Sequence, residues 1–313
     1  MDQPADLSLI IVNWNARQRL GECLASVEHQ VRGPPAETWV VDNGSTDGSV
    51  ELVEVQFPWA KLLVNRENLG FARANNQALS LAQGRYVLFL NPDTQLLPEA
   101  LSILTRFLDH HPRTGAVGPQ ILSPEGRIQP SCRRFPTLST VFWEATALDR
   151  AFPRHRLLGR YLMGDWDHQT LRRVDQPMGA CLMVRRAALD QVGPFDERFF
   201  LFFEEVDLCR RLKSAGWDIY FVPQAQIIHC GGESIRQNYW RTAWLFHSSR
   251  YKYFRKHFGW GQEWLVRVLM VASFPWQLLL RIGLVLSRPM QADKIARHFS
   301  TVVVQLIAAL WPG

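Results

Sequence analysis

Tyr86-Val87-Leu88-Phe89-Leu90-Asn91-Pro92-Asp93 is the stretch on which the fold turns. Its first five residues are apolar without a break and follow Gly84 closely, the pattern of a strand buried on both faces, as in α/β proteins. In such sheets ligands bind beyond the carboxyl ends of the strands. Asp93 therefore stands at the mouth of a sheet, where a carboxylate suits a divalent cation held against a phosphate. Asn-Pro-Asp is also an ordinary turn initiator, and the stretch alone does not separate the two readings.

Working outward, Leu7 to Val12 is an apolar run ending at Asn13-Trp14-Asn15, and Arg17 to Gln30 follows with Leu20, Leu24 and Val27 at helical spacing. Trp39 to Val41 reads as a second buried strand, ending in Asp42-Asn43-Gly44-Ser45-Thr46-Asp47-Gly48-Ser49, with a helix over Val50 to Val55. Lys61 to Val64 is a third strand. Asn68-Leu69-Gly70 then opens a helix to about Gln83, with Gly84 at the place favoured for a C-terminal cap. Strands alternating with helices predict a doubly wound, mostly parallel α/β sheet. Beyond Gly115 the alternation loosens, and residues 124 to 175, rich in Arg, aromatics and Pro, are expected to form an excursion over the sheet. Order resumes with a strand over Pro177 to Val184, a helix from Glu204, and a strand pair around Ile219 to Val222 and Ala225 to His229.

The 313 residues, 47% hydrophobic and 20% charged, suffice for one large α/β domain and an appendage, divided here as 1–235 and 236–313. Five scattered cysteines without a C-x-x-C pair exclude a disulfide framework and a structural zinc site. Asp2 and Asp6 precede the first apolar run, unlike the basic start of a secretory signal, so a cytoplasmic setting is expected. The net charge of +6 and pI near 9.3 suit an anionic partner. From Arg241 to Arg297 basic residues are interleaved with long apolar stretches, a pattern closer to a membrane surface than to a nucleic-acid groove. The uncharged stretches Val268 to Leu280 and Phe299 to Gly313, of 13 and 15 residues, fall short of the roughly 20 that span a bilayer. With Trp260, Trp264, Trp276 and Trp311 nearby, they are expected to lie in the headgroup region. A helical cap on the core or a dimer contact is the alternative.

Four side chains stand where chemistry is done. Asp42, at a strand end, can accept hydrogen bonds from a nucleobase or ribose, or cap a local turn; Asp47 is balanced between function and capping. Helical periodicity puts Glu205 on a face with Leu208, Cys209 and Leu212, pointing inward. Glu204, Asp207 and Arg211 fall on another side, where Asp207 reads as a solvated i,i+4 partner of Arg211. An inward carboxylate in a first helical turn is raised in pKa by burial and lowered by the helix end. His229 ends an apolar run; facing the same cleft as Asp93, it would complete a cation site whose other ligands are diphosphate and water, with Mn²⁺ accepting the nitrogen more readily than Mg²⁺.

These pieces resemble family 2 glycosyltransferases, the inverting group with the GT-A fold, over roughly residues 7 to 235. In order they are Ser8 to Asn15, Val41 to Asp47, Asn68 to Ala72, Asn91-Pro92-Asp93, Gly193 to Phe200 and Phe203 to Cys209. The likeness is strongest to a bacterial rhamnosyltransferase-like branch. It implies a nucleoside-diphosphate sugar, UDP- or dTDP-linked, held by Asn13, Asp42, Asn43, Arg73, Asn91 and Asp93. It also implies a Mn²⁺ or Mg²⁺ ion on Asp93 and His229, Glu205 as base, and an acceptor side at Gly179, Ala180 and Glu204. The acceptor implied is a lipid-linked or cell-surface glycan, worked on from the inner face of the cytoplasmic membrane. Two departures stand out: Asn91 opens the family's D-x-D element, and Glu204-Glu205 replaces its Glu-Asp pair. Gln237-Asn238-Tyr239-Trp240-Arg241 has Trp and Arg reversed relative to the processive polymerases, which favours transfer of one or a few sugars. A sugar nucleotidyltransferase would need a Gly-rich loop after the first strand, and a dinucleotide dehydrogenase a G-x-G-x-x-G; neither is present. A non-catalytic sugar-nucleotide-binding scaffold is the remaining rival.

Overall fold

Strand β4 (Tyr86–Leu90) is buried along its whole length because it has a strand on each side. β1 (Leu7–Asn13) runs parallel to it and β11 (Cys181–Arg185) antiparallel. These contacts come from a computed structural model, which describes residues 6–30, 36–231, 239–287, 300 and 303–310. With β2 (Ala36–Asp42), β3 (Lys61–Val64), β5 (Thr94–Leu96), β6 (Thr114–Leu122) and β12 (Asp218–His229), the sheet order is β3-β2-β1-β4-β11-β6-β12-β5. The left half is parallel throughout, as expected, and β6 pairs with β12 in parallel too. Short strands β7 (Ile128–Gln129) and β9 (Arg172–Arg173) attach at the side, while β8 (Cys132–Arg133) and β10 (Gln176–Pro177) form a separate pair. The two expected strands over 219–229 are one strand, β12, whose register slips between Val222 and Gln226.

Helices α1 (Arg17–Glu28), α2 (Ser49–Gln56), α3 (Phe71–Leu79) and α4 (Ala100–His110) follow the early strands. α1 turns Leu20, Cys23, Leu24 and Val27 into the core, each large aliphatic side chain contributing about 1.5–3 kcal/mol on full burial. α3 ends at Leu79, so Gly84 is not its cap. A Cβ at 84 would lie 2.5 Å from the backbone nitrogen of Ser8, and the Gly84 N–H donates to Ser8 Oγ at 2.8 Å. Glycine is required there by a close passage of chains, which a cap-like position in the sequence does not reveal.

The chain divides into two compact units. The first comprises Met1–Arg133, Asp167–Phe200 and Glu204–Ser234; it holds the sheet, α1–α4, α7 (Arg186–Val192) and α8 (Glu204–Ser214). The second comprises Arg134–Trp166, Leu201–Phe203 and Ile235–Gly313. Most of the stretch expected as an excursion over the sheet thus belongs with the C-terminal helices. This unit contains α5 (Leu138–Ala145), α6 (Leu148–Ala151), α9 (Tyr239–Phe258), α10 (Trp260–Ala272) and α11 (Phe274–Ser287). α5 starts at a capping box in which Thr137 and Thr140 exchange hydrogen bonds. Arg250 on α9 is 3% exposed and donates from one nitrogen to both oxygens of Glu144 at 2.7 and 2.9 Å. Residues Gln237 and Asn238, the 235/236 boundary and, within Phe299 to Gly313, positions 299, 301, 302 and 311–313 lie outside the described residues.

Candidate active site

The carboxyl ends of β2, β1 and β4 lie side by side, and each carries a polar residue that leaves the sheet at the same rim. Asn13 is paired in register with Asp42, and Ile11 with Leu90 just before the Asn91–Asp93 turn. Asp42 is buried; its Oδ1 accepts from Asn13 Nδ2 at 3.0 Å and its Oδ2 from the Ser45 N–H at 2.8 Å. Asn13 Nδ2 also reaches Ser45 Oγ at 3.1 Å, while Asn13 Oδ1 is buried without a hydrogen-bond partner. A buried orphaned acceptor costs about 1–3 kcal/mol and marks a position retained for something other than stability. Asn15, with φ of 49°, accepts from the Thr46 N–H at 2.8 Å and donates its own N–H to Ser45 Oγ at 2.9 Å. Ser45 and Asn15 stand within the family-like stretches but carry no role in the sequence reading, because the hydrogen bonds that join them bridge two loops far apart in the chain.

Asn43 and Asp47 build the loop itself. Asn43 Nδ2 donates to Asn68 Oδ1 and the Gly70 carbonyl, and its Oδ1 accepts from Asn65 Nδ2 and the Leu69 N–H, so its side chain is spent within the protein. Asp47 accepts from the backbone of Arg17 and Ser49 and from Ser49 Oγ. Burial opposes ionisation of Asp47, but these hydrogen bonds prevail and hold its carboxyl below the usual range. Arg73 is not gathered into this group: it is exposed on α3, with its Nε 4.0 Å from Glu197.

Antiparallel pairing of β5 with β12 sets His229 opposite Thr94, and the Cys230 N–H donates to the Asp93 carbonyl at 3.0 Å. His229 Nε2 and Asp93 Oδ1 are thereby 3.3 Å apart. Two ligands of one octahedral ion at right angles stand about 3 Å apart, and a carboxylate with an imidazole is a donor set that Mn²⁺ takes readily. The pair fits a cation. Among the described residues no three His, Cys, Asp or Glu side chains converge as a complete cage, so the remaining ligands would have to be supplied by a bound molecule and water. The turn is braced from below: the Asn91 carbonyl accepts from Thr94 Oγ1 and, at 3.7 Å, from the buried Cys23 thiol.

Glu205 lies in the first turn of α8, behind Phe202 and Phe203, both in the left-handed region at φ of 67° and 69°. Such strain is characteristic of functional positions. A Cβ on Gly179 would be 3.3 Å from Glu205 Cγ, and the next residue, Ala180, accepts the Asn91 N–H at 2.9 Å. The Asn91–Asp93 turn and Glu205 are therefore linked through Asn91, Ala180 and Gly179. Glu204 is 5% exposed, and Oε2 of both glutamates is buried without a partner. Of the two opposed effects on Glu205, burial prevails over the backbone N–H groups of the helix start, and its carboxyl is raised. Glu204 is raised further by burial and by Glu205 beside it.

Asp207 departs from expectation. It pairs with Arg211 at 2.8 Å as foreseen, but it is fully buried rather than solvated. The segment after α7 covers it, because Arg211 also donates to the carbonyls of Val192, Gly193 and Pro194.

The sequence profile described as glycosyl transferase family 2 matches residues 8–192. The chain is 31% identical over 284 residues to the N-acetylglucosaminyl-diphospho-decaprenol L-rhamnosyltransferase of Mycobacterium tuberculosis, covering 83% of this chain and 89% of that protein. It is 25% identical over 196 residues to the rhamnosyltransferase WbbL of Escherichia coli K12, covering 59% of this chain and 69% of that one. Among solved structures, the mannosyltransferase PcManGT of Pyrobaculum calidifontis, in complex with GDP-Man and Mn²⁺, shares the fold with a TM-score of 0.59 at 16% identity, over 99% of this chain and 88% of that one.

Proposed function

The chain belongs to glycosyl transferase family 2 and is a sugar-transferring enzyme, and from that premise we propose that it moves a deoxyhexose, L-rhamnose from a dTDP- or UDP-linked donor, onto a hydroxyl of a lipid-diphosphate-linked sugar with inversion at the anomeric carbon. The substrate class is supported by the mycobacterial relative, an N-acetylglucosaminyl-diphospho-decaprenol L-rhamnosyltransferase. The chemistry is carried by one observation: Asp93, on a turn connected through Ala180 and Gly179 to Glu205, lies 3.3 Å from His229 at the end of β12.

In this reading Asp42 and Asn13 receive the donor's base, with Asn43 shaping the loop around it. Asp93 and His229 hold a divalent cation, Mn²⁺ or Mg²⁺; when bound, it supplies positive charge against the leaving diphosphate. Glu205 takes the proton of the acceptor hydroxyl as that oxygen attacks the anomeric carbon from the face opposite the diphosphate, so one bond forms as the other breaks. A carboxyl raised by burial is a stronger base than an exposed one, and this is the direction general-base catalysis requires. Gly179 leaves room for the Glu205 side chain, and Glu204 with Ala180 borders the acceptor side. Arg73 reaches the donor only if its exposed side chain leaves Glu197. A lipid-linked acceptor puts this work at the cytoplasmic face of a membrane, with the enzyme peripheral to it.

The test is release of nucleoside diphosphate from a panel of dTDP- and UDP-sugars, with Mn²⁺, Mg²⁺ or chelator and a lipid-diphosphate acceptor. Wild type is compared with Asp93→Ala and Glu205→Gln. Metal-dependent turnover of the rhamnose donor, lost in both variants, is expected. Tight donor binding with no release from any sugar would instead make the protein a sugar-nucleotide-binding scaffold.

A further inference from the structure

The helical arm is inside out. On α10, Trp260, Trp264, Val268 and Ala272 recur every four residues and form one stripe. That stripe, widened by Leu265, is the exposed side of the helix, with Trp260 66% and Val268 58% accessible. It carries no charge. The two charged residues of α10, Glu263 and Arg267, are turned inward and paired at 2.9 Å. Arg267 also donates to the carbonyls of Ala308 and Ala309 and lies 4.2 Å over the Tyr251 ring. A helix in water shows the reverse polarity. α11 repeats the pattern, exposing Trp276, Leu279, Leu280 and Ile282 while Arg281 is half-buried.

From this inverted polarity we infer that the exposed face of α10 and α11 lies in one leaflet of an anionic lipid bilayer. Depth follows from length. α10 has 13 residues, about 20 Å, against a hydrocarbon core of about 30 Å. Among the described residues no single helix is long and apolar enough to cross; α10 and α11 are so only when taken together, and they are bent by 40° at their junction. A shallow, non-spanning insertion with the tryptophans at headgroup depth satisfies all three facts. Charge selects lipid over a second copy of the chain. From Tyr239 to Ser287 the sequence holds seven Lys or Arg and one acid, Glu263. Arg250 and Arg267 are buried against Glu144 and Glu263 and Arg281 is half-buried, so Arg241, Lys252, Arg255 and Lys256 are the cations at the surface, with no acid among them. The last turn of α9, Arg255-Lys256-His257, leads through Phe258 and Gly259 into Trp260, so cations rim the apolar stripe. Two such cationic rims repel each other, whereas anionic headgroups attract them at about 1 kcal/mol per cation. The inference deepens the peripheral placement proposed above by naming the surface that makes it, and its observations come from the helices alone.

The experiment is flotation of the full-length protein with vesicles of phosphatidylglycerol and phosphatidylcholine, for wild type and the double variant Trp264→Ser, Val268→Ser. Wild type should float, more weakly on phosphatidylcholine alone, and the variant's bound fraction should fall at least about tenfold. Brominated phospholipid should quench tryptophan emission of the wild type, a reading that needs no variant. Wild type remaining unbound and unquenched, or the variant floating equally, overturns the inference. A dimer by light scattering that the double variant splits would also overturn it and give the face to a second copy. Nucleoside diphosphate release with a soluble acceptor analogue is expected to be unchanged in the variant. Its absence in both proteins would count against the transfer reaction and leave the membrane result standing.

Discussion

Gly179→Ala tests the link between the metal turn and the base with a single methyl group. The added Cβ would lie 3.3 Å from Glu205 Cγ, 3.4 Å from its Cβ and 3.6 Å from its Cδ. Carbon pairs rest at about 3.5–4.0 Å, so the Glu205 side chain has to move by about 0.2–0.7 Å. A productive site tolerates about 0.5 Å, and a displacement of 1 Å costs about 100-fold in rate. The expected loss in kcat is therefore about 3–10-fold, or roughly 0.7–1.4 kcal/mol of barrier. Stability should change by less than about 1 kcal/mol, because Gly179 is not among the positive-φ glycines and the crowded atoms belong to a side chain. The assay is nucleoside diphosphate release at saturating acceptor, with the donor KM unchanged and thermal denaturation alongside. In a Glu205→Gln background the alanine should cost nothing more, since it acts through the group already removed. Wild-type turnover in Gly179→Ala, or a loss that persists undiminished beside Glu205→Gln, would refute the assignment of Glu205 and its contact.

Because burial raises the Glu205 carboxyl, the acid limb of kcat/KM should fall above the ordinary glutamate range, and a pH–rate profile reads it directly. Glu204→Gln bears on stability. Its folded-state pKa lies above the unfolded value of about 4.3, so the folded state holds the proton longer and stability declines as pH rises from there through the folded value. Glutamine should remove that slope and stabilise the protein at neutral pH by on the order of 1–3 kcal/mol, seen as a Tm gain that vanishes in acid. Glu144→Ala leaves Arg250 buried and unpaired, which should cost about 3–5 kcal/mol in urea denaturation. The double change Glu144→Leu, Arg250→Met should recover most of that loss, because the pair's own net contribution is small.

How far these features were legible depends on whether the deciding contact is local in sequence. Asn13 and Asp42 end apolar strands and Asp93 stands in the turn just beyond another, so hydrophobic runs alone place them at one rim. His229 meets Asp93 through the β5–β12 pairing, a long-range contact that strand patterns do not specify and only the order of family motifs suggested. Periodicity also assigns residues to faces without saying what covers each face. It paired Asp207 with Arg211 correctly, yet the carbonyls of residues 192–194 that bury the pair come from a separate element. The same blindness affects α10, where spacing shows a helix with charged and apolar sides, and the ordinary assumption turns the charged side to water. Here Glu263 Oε1 pairs with Arg267, which also donates to the Ala308 and Ala309 carbonyls, and the tryptophan stripe is left outside. A period of 3.6 therefore reports that a helix has two faces, while the medium against each is set by tertiary partners. That is why the helices of the arm could be anticipated and their inverted polarity could not.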